Sequence, residues 1–179
     1  FRVDGGLRSF GADDFSFYFL ELNARIQVEH PVTEAITGID LVEQQLLVAA
    51  GKPLGLTQAM VRPEGHAIEV RINAEDPDAD FRPSPGRAAR AAWPAGPGIR
   101  VDTHIAEGGE IPPFYDSLMG KLIVHAATRA EAVDRLADAL STLAIDGLPT
   151  TASLHRRIVA DPRFAAGGVD TGFLVGLSG

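Results

Sequence analysis

The chain has 179 residues, 45% of them apolar and 22% charged, with a formal net charge of −8. That composition fits one ordinary folded domain, or a domain plus part of another, and the acidic balance argues against a nucleic-acid partner. There is no cysteine for a disulfide framework, and no apolar run reaches the ~20 residues that span a bilayer, so no membrane association is expected.

In chain order, Gly5 to Asp14 reads as a Gly- and Asp-rich loop, and Ser16 to Asn23 as a strand pairing back on Arg2 and Val3. Pro31 breaks the extended run and opens a short helical turn over Val32 to Thr37, ended by Gly38. Asp40 caps the next helix, with Glu43 three residues on, and Val42, Leu46, Ala49 and Ala50 share one face. Gly51 and Pro53 end it. Pro53 to Gly65 is linker-like, which divides the chain into residues 1–55 and 56–179.

His66 to Asn73 alternates strictly, with Ile68, Val70 and Ile72 opposite Glu69, Arg71 and Asn73. Asp76 to Gly86 reads as a loop. Arg87 to Trp93 and Gly98 to His104 read as strands, Gly108 to Asp116 as a loop, and Leu118 to His125 as an apolar strand. Thr128 and Glu131 form a capping box before a helix striped with Val133, Leu136, Ala137, Leu140 and Leu143. A short strand at Leu143 to Asp146, a helix at Thr151 to Ala160 and one turn near Thr171 to Val175 complete the order. Strands followed by helices predict an α+β fold with an antiparallel sheet and packed helices.

The densest chemistry lies at Glu21, Asn23, Arg25, Gln27 and Glu29, every second residue, with small or apolar residues between. A solvated strand face gives the same alternation. Asn is a poor strand former, however, and the row holds the tools of anion chemistry. A carboxylate beside an amide suits a hard cation, a guanidinium forks onto a planar oxyanion, and a second carboxylate can take a proton.

Glu21-Leu22-Asn23-Ala24-Arg25-Ile26-Gln27-Val28-Glu29-His30-Pro31-Val32-Thr33-Glu34 resembles the signature of biotin carboxylases, the ATP-grasp subunits of biotin-dependent carboxylases. The likeness continues through Gly65-His66-Ala67-Ile68-Glu69-Val70-Arg71-Ile72-Asn73-Ala74-Glu75-Asp76-Pro77 and Tyr115-Asp116-Ser117-Leu118-Met119-Gly120-Lys121. It implies the end of an ATP-grasp domain followed by the family's C-terminal domain. Phe1 to Asp4 would follow directly on the first metal-binding glutamate, with that residue and the ATP-contacting lysines upstream.

The reaction implied makes carboxyphosphate from ATP and bicarbonate. It then carboxylates the ureido nitrogen of biotin held on a separate carrier domain, ahead of a carboxyltransferase. Acetyl-CoA carboxylase of fatty acid biosynthesis is one such system. By the same resemblance Glu21 and Asn23 bind Mg²⁺ (or Mn²⁺), with Glu21 also at the nucleotide. Arg25 holds bicarbonate and then stabilises the ureido oxygen. Gln27 and the Val28 N–H complete the bicarbonate cradle. Glu29 is the general base, and Arg71 binds the ureido carbonyl.

Arg100 resembles a homodimer contact, with a solvated strand arginine as the bland alternative. The five histidines form no metal motif, and neither Lys52 nor Lys121 sits in a biotin-attachment sequence. With no Gly-rich phosphate loop, and with the ATP-contacting lysines and the first metal glutamate expected upstream, residues 1–179 alone are expected to be inactive. Competing readings are another ATP-grasp ligase or a non-catalytic dimerisation module. The expected setting is the cytoplasm of a bacterium, or else the mitochondrial matrix.

Overall fold

The computed structural model describes residues 20–177. The expected loop at 5–14 and the strand partner at Arg2 and Val3 lie outside them. Within the described residues, 20–27 form no strand, which corrects the expectation for the stretch ending at Asn23. The Ala24 and Arg25 N–H groups donate two residues back, to Leu22 O and Asn23 O, and the chain bends at Arg25. Groups satisfied in such tight local turns are not offered to a ladder.

Helix α1 (His30–Thr37) is two turns long, starts earlier than expected, has Pro31 in its first turn and stops at left-handed Gly38. Helix α2 (Leu41–Ala49) begins where Asp40 accepts from Glu43 N at 2.8 Å. Its apolar stripe is not buried: Leu46 is 67% exposed, because no described element packs there. A single 3₁₀ turn at Gln58–Met60 interrupts the linker.

The strands are β1 (His66–Asn73), β2 (Glu75–Asp76), β3 (Arg82–Pro83), β4 (Gly86–Arg87), β5 (Arg90–Ala92), β6 (Ile99–Thr103), β7 (Glu110–Ile111), β8 (Leu118–Ala126) and β9 (Ala144–Asp146). The main sheet is antiparallel in the order β1-β8-β6. Expected loops at 76–86 and 108–116 contain the small pairings β2-β3 and β7 with β4. The expected strand from Arg87 to Trp93 is two pieces. Ala88 N donates to Gly109 O and Ala89 N to Asp146 O, so the chain changes partner from β7 to β9 at that point.

Helix α3 (Arg129–Thr142) has the full capping box of Thr128 and Glu131. Helix α4 (Ala152–Ala160) follows, and then α5 (Pro162–Ala166), which is absent from the expected order. Its local signals are Asp161 as cap and Pro162 in the first turn. The tail closes with a 3₁₀ turn at Phe173–Leu177 rather than Thr171 to Val175. No helix among the described residues is long and apolar enough to cross a membrane.

Register divides the main sheet into two unlike faces. Ile72, Leu122 and Val124 point to one side, where Val133, Leu136, Ala139, Leu140, Ala152 and Val159 from α3 and α4 complete the core. Burying such a side chain contributes about 1.5–3 kcal/mol. On the other face Arg71, Lys121 and Asp102 form one transverse row, and Glu69, Ile123 and Arg100 the next. Helix α1 lies against β1 and β8 on this side.

Candidate active site

Three strands each send one cation to the segment that enters and forms α1. Arg71 Nη2 of β1 meets Glu29 Oε2 at 3.0 Å. Lys121 Nζ of β8 donates to Val28 O at 3.1 Å. Arg100 Nη1 of β6 meets the buried Glu34 at 2.6 Å. Glu34 Oε1 in turn accepts from Leu41 N at 2.8 Å, so the same carboxylate starts α2. His30 locks the turn from within, as its N–H and Nδ1 both reach Gln27 O.

The docking turn aims its side chains at one place. Arg25, Gln27 and Glu29 line an open cavity of about 690 Å³ with Gln44 and Val48 of α2 on its far wall. The Val28 N–H makes no hydrogen bond among the described residues and is free to donate. Arg25 has one contact, Nη1 to Ile26 O at 3.3 Å, and no carboxylate partner among those residues. Arg71 is brought to Glu29. The other carboxylates near Arg71 along β1 and β2 do not pair with it: Glu75 is held by Asn73 and Ser117, and Glu69 accepts no hydrogen bond at Oε2.

Glu21 and Asn23 do not reach this cavity. Both are exposed, with no side-chain partner among the described residues. Among the described residues no group of three or more histidine, cysteine or acidic side chains is arranged to hold a metal ion. One carboxylate and one amide oxygen two residues apart are nevertheless a donor set that fits Mg²⁺, which completes its shell with water and phosphate oxygens.

Arg71 is also fixed from behind. β1 is an edge strand, and its outer carbonyls need partners. Thr151, the N-cap residue of α4, donates Oγ1 to Arg71 O at 2.9 Å and accepts from Asn73 N at 3.0 Å. His155 Nε2 reaches the same Arg71 O at 2.8 Å. Burial pushes the His155 imidazole below its ordinary value, against the opposing pull of that bond. Because β1 shifts register between Ile72 and Asn73, these α4 groups supply bonds where the ladder is irregular.

The electrostatics of the polar face follow from the rows. Asp102 makes two bonds to Arg100 and lies 3.4 Å from Lys121 Nζ. Burial alone would raise the Asp102 carboxyl, but the Arg100 bonds and the Lys121 charge outweigh it and hold it low. The Asp102 bonds, and after them those of Glu34, push Arg100 upward; it is an exposed arginine that ties β6 to α1 within the chain. Burial raises Glu69, more than Lys121 and Arg71 lower it.

Lys121, Asp102, Glu69 and Thr151 were not assigned to the site from the sequence. Lys121 had a visible signal, as the single cation inside the apolar run Leu118 to Ala126. Asp102 had another, two residues from Arg100 and so on its face.

Comparison with known proteins gives these features a family. The Biotin carboxylase C-terminal domain family matches residues 69–175, more than half the chain. The family described as Carbamoyl-phosphate synthase L chain, ATP binding domain, matches residues 8–57. A biotin carboxylase of Nostoc sp. is 56% identical over 158 residues, 88% of this chain and 35% of its own length. The chloroplastic biotin carboxylase of Arabidopsis thaliana is 50% identical over 160 residues, 89% of this chain and 30% of its own.

Among solved structures, the biotin carboxylase domain dimer of Hydrogenobacter thermophilus 2-oxoglutarate carboxylase, in complex with MgADP, ADP and bicarbonate, superposes with a TM-score of 0.87. It is 48% identical, covering 92% of this chain and 36% of that one. The urea carboxylase of Kluyveromyces lactis gives 0.83 at 40% identity, over 89% of this chain and 14% of that one. The chain thus spans well under half of the relatives it matches. With a C-terminal-domain match over most of its length and an ATP-grasp match before it, this chain belongs to the biotin carboxylase family.

Proposed function

We propose that the protein carrying this segment uses ATP and bicarbonate to carboxylate biotin on a separate carrier domain, and passes the carboxyl group to a carboxyltransferase. The observation that carries this reading is the convergence of Arg25, Gln27 and Glu29 on one cavity, with Arg71 at 3.0 Å from Glu29. A relative whose structure holds MgADP and bicarbonate supports it.

In this reading the Arg25 guanidinium binds bicarbonate as a fork, helped by Gln27 and the Val28 N–H. Glu29 accepts the bicarbonate proton, and the freed oxygen attacks the γ-phosphorus of ATP as ADP leaves. Carboxyphosphate then gives carbon dioxide and phosphate, and that phosphate takes the ureido N–H proton as the biotin nitrogen attacks carbon dioxide. Arg71 spends one N–H on Glu29 and keeps its other donors for the ureido oxygen, so it can hold base and biotin together. Charge that develops on that oxygen is stabilised by Arg25 and Arg71. Mg²⁺ held through Glu21 and Asn23 would neutralise phosphate charge.

Glu21, Asn23, Arg25, Gln27, Val28, Glu29 and Arg71 are the residues assigned to the site. The carboxyltransferase sets the final acceptor, and acetyl-CoA is the acceptor we propose first. Assembly as a homodimer is proposed from the Hydrogenobacter relative. The test is ATP hydrolysis by the full-length protein, which should require bicarbonate and rise with free biotin. Hydrolysis indifferent to both would sink the reading and favour another ATP-grasp ligase. The C-terminal-domain match over 69–175 favours the carboxylase. Residues 1–179 alone should show no activity, and a steady bicarbonate-dependent rate from them would overturn that expectation.

A further inference from the structure

We propose that Lys121 is a positioning residue that aims Val28 and Glu29, a role that rests on the carboxylase reading above. Its side chain is out of place by every local rule. Lys121 is only 9% exposed and sits in β8 beside Gly120 and the fully buried Leu122 and Met119. Its cross-strand neighbour on β1 is Arg71, also a cation. Burying an ammonium is costly, and like charges directly opposite each other destabilise a sheet. An apolar side chain would fit β8 with neither penalty.

The offsetting contacts are specific. Nζ donates to Val28 O at 3.1 Å and approaches Asp102 Oδ2 at 3.4 Å. Asp102 is itself clamped by Arg100, so the ammonium has a fixed anchor. The carbonyl it grips belongs to the peptide joining Val28 to Glu29. Arg71 grips the next side chain along. Two cations opposite each other on adjacent strands thus hold two consecutive residues of the cradle.

The cradle needs such a hold. Residues 20–27 are in no ladder, and among the described residues the turn is otherwise held by the His30 bonds to Gln27 O, the Arg71–Glu29 pair and Val32 N donating to Glu29 O at 3.1 Å. With Lys121 removed, the 28–29 peptide loses its tie to β8. The Val28 N–H on one side of it and the Glu29 carboxylate on the other then lose a shared anchor. Misplacement by about 1 Å is enough to cost ~10²-fold in rate.

The test compares wild type, Lys121→Met and Lys121→Gln in the full-length protein, with Lys121→Arg as the conservative variant. The amide of Lys121→Gln is too short to reach Val28 O but keeps the position polar, so it serves if Lys121→Met does not fold. Expected is a fall of about tenfold or more in kcat/KM for bicarbonate, with KM for ATP within about twofold of wild type. Lys121→Arg should recover part of the loss. A purely structural lysine would lower the active fraction and leave both KM values alone. That outcome, or unchanged kinetics in both variants, overturns the positioning role while the wild type still works. A wild type without bicarbonate-dependent hydrolysis overturns the carboxylase reading, and this inference with it.

Discussion

Thr151→Val is the most revealing perturbation outside the cavity. Valine keeps the shape, so packing at this buried position is retained. What is lost is the hydroxyl that donates to Arg71 O and accepts from Asn73 N. Arg71 O keeps His155 Nε2 at 2.8 Å, so it stays satisfied. Asn73 N–H does not, and an unsatisfied buried donor costs about 1–3 kcal/mol. At ~1.4 kcal/mol per factor of ten, about 2 kcal/mol is roughly thirtyfold. Amide hydrogen exchange in the full-length protein reads this directly. The Asn73 amide should exchange about thirtyfold faster in Thr151→Val and near the wild-type rate in Thr151→Ser. KM for biotin should rise in the valine variant, because Arg71 has lost one of its two rear supports. Unaltered Asn73 protection would refute the claim that α4 holds this edge of β1.

Glu29→Gln keeps the Arg71 contact geometry but removes the proton acceptor, and should lower kcat by ~10²–10⁴-fold with the fold intact by circular dichroism. Arg71→Met should raise KM for biotin at least tenfold while bicarbonate-dependent ATP hydrolysis without biotin falls less, as separate assays of the two would show. Burial raises Glu69, so its ionised form is disfavoured in the folded protein. Its penalty is absent below the unfolded value of about 4.5 and grows as pH rises through the folded one, so Glu69→Gln should raise the Tm at pH 7 and not at pH 4. His155 is depressed by burial, so its contribution is complete above 6.5 and is lost as pH falls from there through the lower folded value. Thermal melts of His155→Gln should accordingly lose less between pH 7 and pH 5 than wild type.

Elements whose order is written in local chemistry were legible in the sequence. The alternation of His66 to Asn73 gave β1 residue for residue, and Thr128 with Glu131 gave the start of α3. Boundaries failed where tertiary bonding decided them. Nothing local in Arg87 to Trp93 says that the strand changes partner at Ala88 and Ala89, because the new acceptors, Gly109 O and Asp146 O, are remote in sequence. The stretch Glu21 to Glu29 failed in the opposite way. Its alternation was real, but the backbone bonds to itself at Ala24 and Arg25, and only Arg25, Gln27 and Glu29 of the row line the cavity, next to the ties from Lys121 and Arg71. The site's residue types could be read, but not their supports. Lys121 and Thr151 contact the site from 93 and 80 residues away.

The polar face also explains why an incoming oxyanion should choose Arg25. Four cations surround the docking turn: Arg25, Arg71, Arg100 and Lys121. Arg71 is paired with Glu29, Arg100 with Glu34 and Asp102, and Lys121 with Asp102. Each of those pairs must be weakened before its cation can fully serve a new anion. Arg25 has no carboxylate partner among the described residues, and it faces the cavity. In the proposed reaction it would take bicarbonate without breaking, among the described residues, a bond stronger than the one to Ile26 O. A sheet face holding cations next to carboxylates would ordinarily attract no anion. Among the described residues Arg71, Arg100 and Lys121 are paired with carboxylates and Arg25 is left without one, which is why Arg25 is the position we propose for the oxyanion.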